Sequence, residues 1–190
     1  MIVGVLALQG AVREHMASLN HCGVDTRIVK RKSDLEGLSG LILPGGESTA
    51  MSLLAEDGFT ERMKALADKG FPMFGTCAGM ILLSEAVEGR PTGHIRAIDI
   101  TVARNASGRQ VDSFETVLDV EGIGPDIPAV FIRAPYIVTY GEGVKPMAVH
   151  DGSVVMARQD NILVASFHPE LTDDRRIHEY FIEMVKETGT

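Results

Sequence analysis

Cys77 stands in "GTCAGM", between two glycines and just after the apolar stretch "FPMF". A nucleophile presented at a sharp turn from strand to helix needs small neighbours, because the backbone there is strained and bulky side chains block approach. The start of a helix also favours the thiolate, the reactive form of the side chain. The plainer alternative is a small buried hydrophobe, which describes most free cysteines. A thiolate that attacks a carbonyl needs a proton shuttle. Among six histidines, "SFHPEL" singles out His168. Pro169 keeps His168 out of helical geometry. In an extended segment residues two apart point the same way, so Glu170 turns its carboxylate toward the imidazole. That would orient the ring and stabilise its charged form, the task of the third member of a triad. A turn histidine beside an unrelated surface glutamate is the alternative. His15 and His178 fall on expected helices and are expected to be solvated.

A third element is "LILPGGEST". Consecutive glycines after a strand let backbone N–H groups approach a ligand closely, and Gly45 and Gly46 with the N–H of Ala78 could line an oxyanion hole. A phosphate loop is the rival reading; it lacks its lysine here, and Glu47 brings the wrong charge. A plain tight turn also remains open. No G-x-G-x-x-G follows the first strand, and no His, Cys or carboxylate pair recurs at metal-ligand spacing, so neither a metal nor a cofactor is expected. The adjacent His21 and Cys22 are read as the close of a helix.

The elements that must position these groups alternate in the first half of the chain. "IVGVLAL" reads as a buried strand, followed by a helix through Val12, Met16 and Leu19 that stops at Gly23. "VDTRIV", "GLIL" and "FPMFG" read as further strands, with helical patterns over 48–69 and 78–87. Such alternation implies parallel strands joined by right-handed crossovers. In the second half short strands dominate, and "MAVHDGSVVMARQDNILVASF" reads as an antiparallel meander whose first turn is Asp151-Gly152. The last helix is expected after a Thr172 cap, with Asp173 and Asp174 in its first turn and Ile177, Phe181, Met184 and Val185 on one face. The expected fold is α/β, one domain over residues 1–190. A mostly parallel, flavodoxin-like central sheet is flanked by helices and carries an antiparallel extension in the second half. In an open sheet of this kind ligands bind beyond the carboxyl ends of the strands. "LQG", "PGGES", "GTCAG" and "SFHPEL" each end a strand, so four separated segments are expected to meet on one edge.

The bulk numbers agree. A chain of 190 residues buries roughly 70% of the surface that its unfolded form exposes. With 45% hydrophobic and 23% charged residues, neither disorder nor a fibrous repeat is indicated. A formal net charge of -8 repels phosphate backbones and anionic lipid, so neither nucleic acid nor membrane is an expected partner. The first residues lack a basic leader and a cleavage site, which leads to the expectation of a cytoplasmic protein. In that compartment a Cys22–Cys77 disulfide would be unusual. "NAS" at Asn105 matches a glycosylation sequon, without significance there.

Taken together, Cys77 in "GTCAG", His168 and Glu170 in "HPE" and the "PGG" strand end resemble the class I glutamine amidotransferases. "GVLALQGAVREH", "LILPGGEST", "PMFGTCAGMI", "RNASGRQVDSFE", "VFIRAP" and "SFHPELT" narrow the resemblance to the family of glutaminase subunits of pyridoxal 5'-phosphate synthases, over nearly the whole chain. The resemblance implies Cys77 as nucleophile, His168 and Glu170 as the charge-relay pair, and Gly46, Glu47 and Ser48 as a glutamine-binding loop. It also assigns substrate contacts to Arg104, Ile132 and Arg133. Free glutamine carries an ammonium and a carboxylate, so Glu47 and the two arginines offer charges of both signs. A synthase subunit that condenses a pentose phosphate, a triose phosphate and ammonia is implied as partner, with docking expected to make the "PGG" loop competent. Ser107 departs from the family, which usually has an aromatic residue there; local packing and any partner contact of that loop are affected more than the chemistry. Two other classes share the triad or the fold: a cysteine hydrolase of γ-glutamyl peptides, and a non-catalytic glutamine sensor.

Overall fold

The computed structural model describes residues 1–7, 10–46, 58–89, 94–104 and 113–189. The first half alternates as the apolar runs require: β1 (Ile2–Leu6), α1 (Val12–His21), β2 (Asp25–Val29), β3 (Gly40–Leu43), α2 (Phe59–Asp68), β4 (Met73–Thr76) and α3 (Ala78–Leu83). Thereafter come β5 (Ser84–Val87), β6 (Ile98–Ala103), β7 (Ser113–Val120), β8 (Gly124–Ile132), β9 (Tyr136–Tyr140), β10 (Lys145–His150), β11 (Ser153–Gln159) and β12 (Ile162–Ala165). A 3-10 turn over Pro169–Leu171 leads into α4 (Arg176–Thr188).

Among the described residues the central sheet runs β2-β1-β3-β4-β12-β11-β9-β6-β5, with β10 on β11, while β7 and β8 pair as a separate ribbon. β2, β1, β3, β4 and β12 are mutually parallel. The antiparallel partners lie beyond them. Strand register explains the core. Val5, Ile42, Phe74 and Leu163 stand abreast across four strands. All four bury against the layer that holds Leu19 of α1 and Ile177 and Phe181 of α4. Their neighbours Leu41, Leu43, Met73 and Val164 point to the other face, onto Phe59 and Met63 of α2 and Met80 of α3. A sheet buried on both faces is why these strands read as unbroken apolar runs. Burying each large apolar side chain contributes about 1.5–3 kcal/mol.

The Asp151-Gly152 turn has φ of 46° and 77°, the doubly left-handed pair of a tight hairpin. Two expectations need correction. The helix expected over 78–87 ends at Leu83: Ser84 is extended, its Oγ donates to the Ile81 carbonyl at 2.8 Å, and residues 84–87 pair in parallel with β6. Pairing overrides the helical leaning of Glu85 and Ala86. The last helix starts at Arg176 rather than after a Thr172 cap. Thr172 instead closes the 3-10 turn, its Oγ1 donating to the Pro169 carbonyl, and Asp174 Oδ1 accepts the N–H of Arg176 at 3.0 Å. Of the pattern expected over 48–69, α2 is the described part. Glu47, Ser48 and the loop with Asn105 and Ser107 lie outside the described residues. Cys22 and Cys77 are both free. Among the described residues no helix is long and apolar enough to cross a membrane.

Candidate active site

Because β1, β3, β4 and β12 are parallel, Leu6, Leu43, Thr76 and Ala165 end on one edge, and the candidate segments follow directly. Cys77 leaves β4 with φ 51° and ψ -109° and its N–H donates to the Ala165 carbonyl at 2.8 Å. A non-glycine residue held there is strained, and such strain persists only when the surroundings enforce it. They do. Helix α3 starts at Ala78 and lies so close to β3 that a Cβ on Gly79 would stand 1.9 Å from the Leu43 carbonyl oxygen. The glycine after Cys77 is therefore a packing requirement as well as an access one. Ala78 opens α3, so its N–H is among the first-turn donors without an intrahelical acceptor.

His168 follows β12 by a short step, its N–H donating to the Val130 carbonyl of β8 at 2.8 Å, and Pro169 holds it at φ -109°, ψ 85°. Glu170 reaches it by the 3-10 turn, not by the two-residue alternation of an extended segment. Nδ1 of His168 and Oε1 of Glu170 are 2.8 Å apart, with the carboxylate fully buried and the imidazole 12% exposed. Burial pulls the His168 pKa down, but hydrogen bonds to Cys77 and Glu170 and their negative charge outweigh it and hold it up at about 10. The ring thus favours the imidazolium, which suits a neighbouring thiolate.

Gly45 locates the two groups relative to each other. The point where its Cβ would stand is 3.6 Å from Cys77 Sγ and 3.2 Å from His168 Cε1, so sulfur and imidazole converge on the "PGG" backbone. Gly46 has φ 147°, and Gly10, in the loop after β1, presses against the Gly45 carbonyl so closely that no side chain fits. Ile132 also arrives here: its carbonyl lies 3.9 Å from Cys77 Sγ, and Arg133 follows, exposed, at φ 45°. The described contacts join Cys77, Gly45, Ile132, His168 and Glu170. They do not join Arg104, which stands exposed after β6 with β9, β11 and β12 between it and β4.

His15 and His178, expected to be solvated, are fully buried directly behind this group. His15 Nδ1 is 3.0 Å from His178 Nε2; His15 Nε2 is 3.2 Å from Thr76 Oγ1 and 3.4 Å from Glu170 Oε2. Burial, with the charges of His178 and His168, pushes the His15 pKa well below its ordinary value. Burial, with the Arg175 charge, lowers His178 to about 4. A signal for both was present in the sequence. His15 lies three residues after Val12 and four before Leu19, and His178 is three before Phe181, so each sits on its helix's apolar stripe.

A cysteine at a strand-to-helix elbow beside a histidine–glutamate pair, on the carboxyl edge of a 2-1-3-4 sheet, places the molecule among the glutamine amidotransferase folds. A solved structure described as a glutamine amidotransferase superposes with a TM-score of 0.91 at 43% identity, covering 98% of this chain and 100% of the other. The chain belongs to the SNO glutamine amidotransferase family, whose model matches residues 5–187. It is 54% identical over 189 residues to pyridoxal 5'-phosphate synthase subunit PdxT of Halalkalibacterium halodurans, covering 99% of this chain and 96% of that one. It is also 55% identical over 186 residues to the same subunit of Bacillus cereus, covering 97% and 95%.

Proposed function

We propose that this chain, as one amidotransferase domain over 1–190, is the glutaminase subunit of a pyridoxal 5'-phosphate synthase. It hydrolyses L-glutamine to glutamate and ammonia in the cytoplasm. The observation that carries the chemistry is the convergence of Cys77 Sγ and the His168 ring on Gly45, with Glu170 holding the far side of the ring. The similarity to the PdxT subunits supports the pathway assignment.

Cys77 thiolate attacks the side-chain amide carbon of glutamine. The charge that develops on the amide oxygen is held by main-chain N–H groups of Gly45, Gly46 and Ala78. His168 gives its proton to the departing nitrogen, which leaves as ammonia, and a γ-glutamyl thioester remains on Cys77. Water, deprotonated by His168, then cleaves the thioester; glutamate leaves and the thiolate–imidazolium pair is restored. Glu47 and Ser48, with Arg104, Ile132 and Arg133, bind the glutamine. Glu47 and the arginines carry the charges its ammonium and carboxylate need.

Ammonia freed into neutral water becomes ammonium and ceases to be a nucleophile, so delivery through a shielded path to a synthase follows from the product's chemistry. The decisive measurement is glutamate release with and without the purified synthase, for the native chain and for Cys77→Ala. The reading requires strong stimulation by the synthase and no turnover without the sulfur. Near-normal glutaminase activity of Cys77→Ala would refute it.

A further inference from the structure

The buried face of Glu170 has a partner that the triad does not account for. Oε1 is engaged by His168, whereas Oε2 has no hydrogen-bond partner among the described residues and is reached by His15 Nε2 at 3.4 Å. A carboxylate accepts only, and a buried anionic oxygen left without a donor is costly. The facing groups decide which His15 nitrogen carries the proton: His178 from α4, Thr76 from β4, and Glu170 with His168 from the turn after β12. If Nδ1 were protonated, the Nε2 lone pair would face the carboxylate. With Nε2 protonated, the N–H faces the Thr76 hydroxyl at 3.2 Å and Oε2 at 3.4 Å, and Nδ1 accepts from His178 Nε2–H. The lone pair then left over is His178 Nδ1, a milder orphan than a buried N–H.

We infer that His15 is a positioning residue for the Cys77–His168–Glu170 relay: its Nε2–H holds Oε2 of Glu170, and His178 behind it fixes the tautomer. This rests on the glutaminase reading above. The carboxylate is thereby gripped at both oxygens, by His168 in front and His15 behind. It cannot rotate away from Nδ1 of His168 when the imidazole gains and loses its proton. The arrangement parallels metal sites, where a group one shell out sets the orientation and basicity of the group that acts.

The test compares His15→Phe, His15→Gln and His15→Asn in the chain assembled with its synthase. A glutamine side chain places an amide N–H near the position of Nε2, whereas asparagine reaches only that of Nδ1. His15→Phe is expected to lower kcat about 10- to 100-fold, the range typical of outer-shell partners, with KM nearly unchanged, and His15→Gln to recover most of it. A second readout is the iodoacetamide alkylation rate at the Cys77 peptide, with Cys22 as internal control. In a Glu170→Ala background, His15→Phe is expected to slow it no further. Full activity of folded His15→Phe, equal losses in all three variants, or additive losses in the Glu170→Ala background would overturn the inference. Cys77→Ala run alongside separates the two levels: activity surviving there removes the glutaminase reading itself, whatever the His15 variants do.

Discussion

Nδ1 of His168 faces Oε1 of Glu170 at 2.8 Å although the two residues are separated only by Pro169, because the 3-10 turn folds the carboxylate back under the ring. The pair belongs to the turn as much as to the side chains. Glu170→Gln keeps the shape but removes the charge that supports the imidazolium. We expect a fall in kcat of about 10- to 100-fold, smaller than the roughly 10⁴- to 10⁶-fold expected for His168→Ala, where the proposed proton shuttle itself is lost. Glutamate release by the synthase-bound chain measures both. Equal and negligible effects would point to another base.

The pH profile of Cys77 alkylation carries the same charge argument in another observable. His168 is held up at about 10, so the imidazolium beside Cys77 is expected to persist across neutral pH. In Glu170→Gln the imidazolium loses that support, and the reactivity profile is expected to change where His168 deprotonates earlier. Identical profiles in both proteins would show that the sulfur, the imidazole and the carboxylate are not coupled.

Strain at Cys77 makes a trade between stability and activity measurable. At φ 51°, ψ -109° a side chain costs on the order of 1–3 kcal/mol. Cys77→Gly is therefore expected to melt at or above the native temperature, after the larger entropy loss of glycine is set against relief of strain. Cys77→Ala keeps the strain and gains nothing. On the proposed mechanism neither variant is expected to turn over glutamine.

Gly79→Ala drives a methyl into the Leu43 carbonyl, 1.9 Å from the ideal Cβ, and neither backbone can yield without shifting α3. A destabilisation of about 1–3 kcal/mol is expected from overpacking of this kind. A loss of glutaminase activity accompanies it, since Cys77 moves with the helix. Denaturant melts and turnover together check this; an unperturbed, fully active variant would contradict the packing.

Acid stability tests the buried imidazoles. His178 is lowered to about 4 from 6.5, so between those values the unfolded chain binds more protons than the folded one, and stability falls as pH falls. The slope per group is about 1.4 kcal/mol per pH unit at most. His15 acts in the same direction. His168, raised to about 10, has the opposite sign: its stabilisation is fully present below 6.5 and is lost as pH rises toward 10. From pH 7 to 4.5 the melting temperature of the native protein is expected to fall more steeply than that of His178→Phe. Parallel curves would mean that His178 is not buried neutral.

Much of this was legible in the sequence where one residue type answers to one constraint. β1, β3 and β4 are apolar runs because both faces of the sheet are covered, and Cys77 is flanked by glycine because α3 packs backbone against backbone. Convergence of the four strand ends followed from parallel order alone. What escaped depends on partners distant in sequence. "SEAV" has the local chemistry of a helix, and only pairing with β6 makes it β5. His15 and His178 are 163 residues apart, and nothing local says that α1 and α4 turn them toward each other under Glu170. Helix α4 starts later than a Thr172 cap implies because Thr172, a good cap by type, is used by the turn that presents Glu170.

Cys77 and His168 are each fastened by main chain to a strand other than their own. The N–H of Cys77 holds the Ala165 carbonyl on β12, and the N–H of His168 holds the Val130 carbonyl on β8. Peptide geometry is thus the ruler for the gap between sulfur and imidazole.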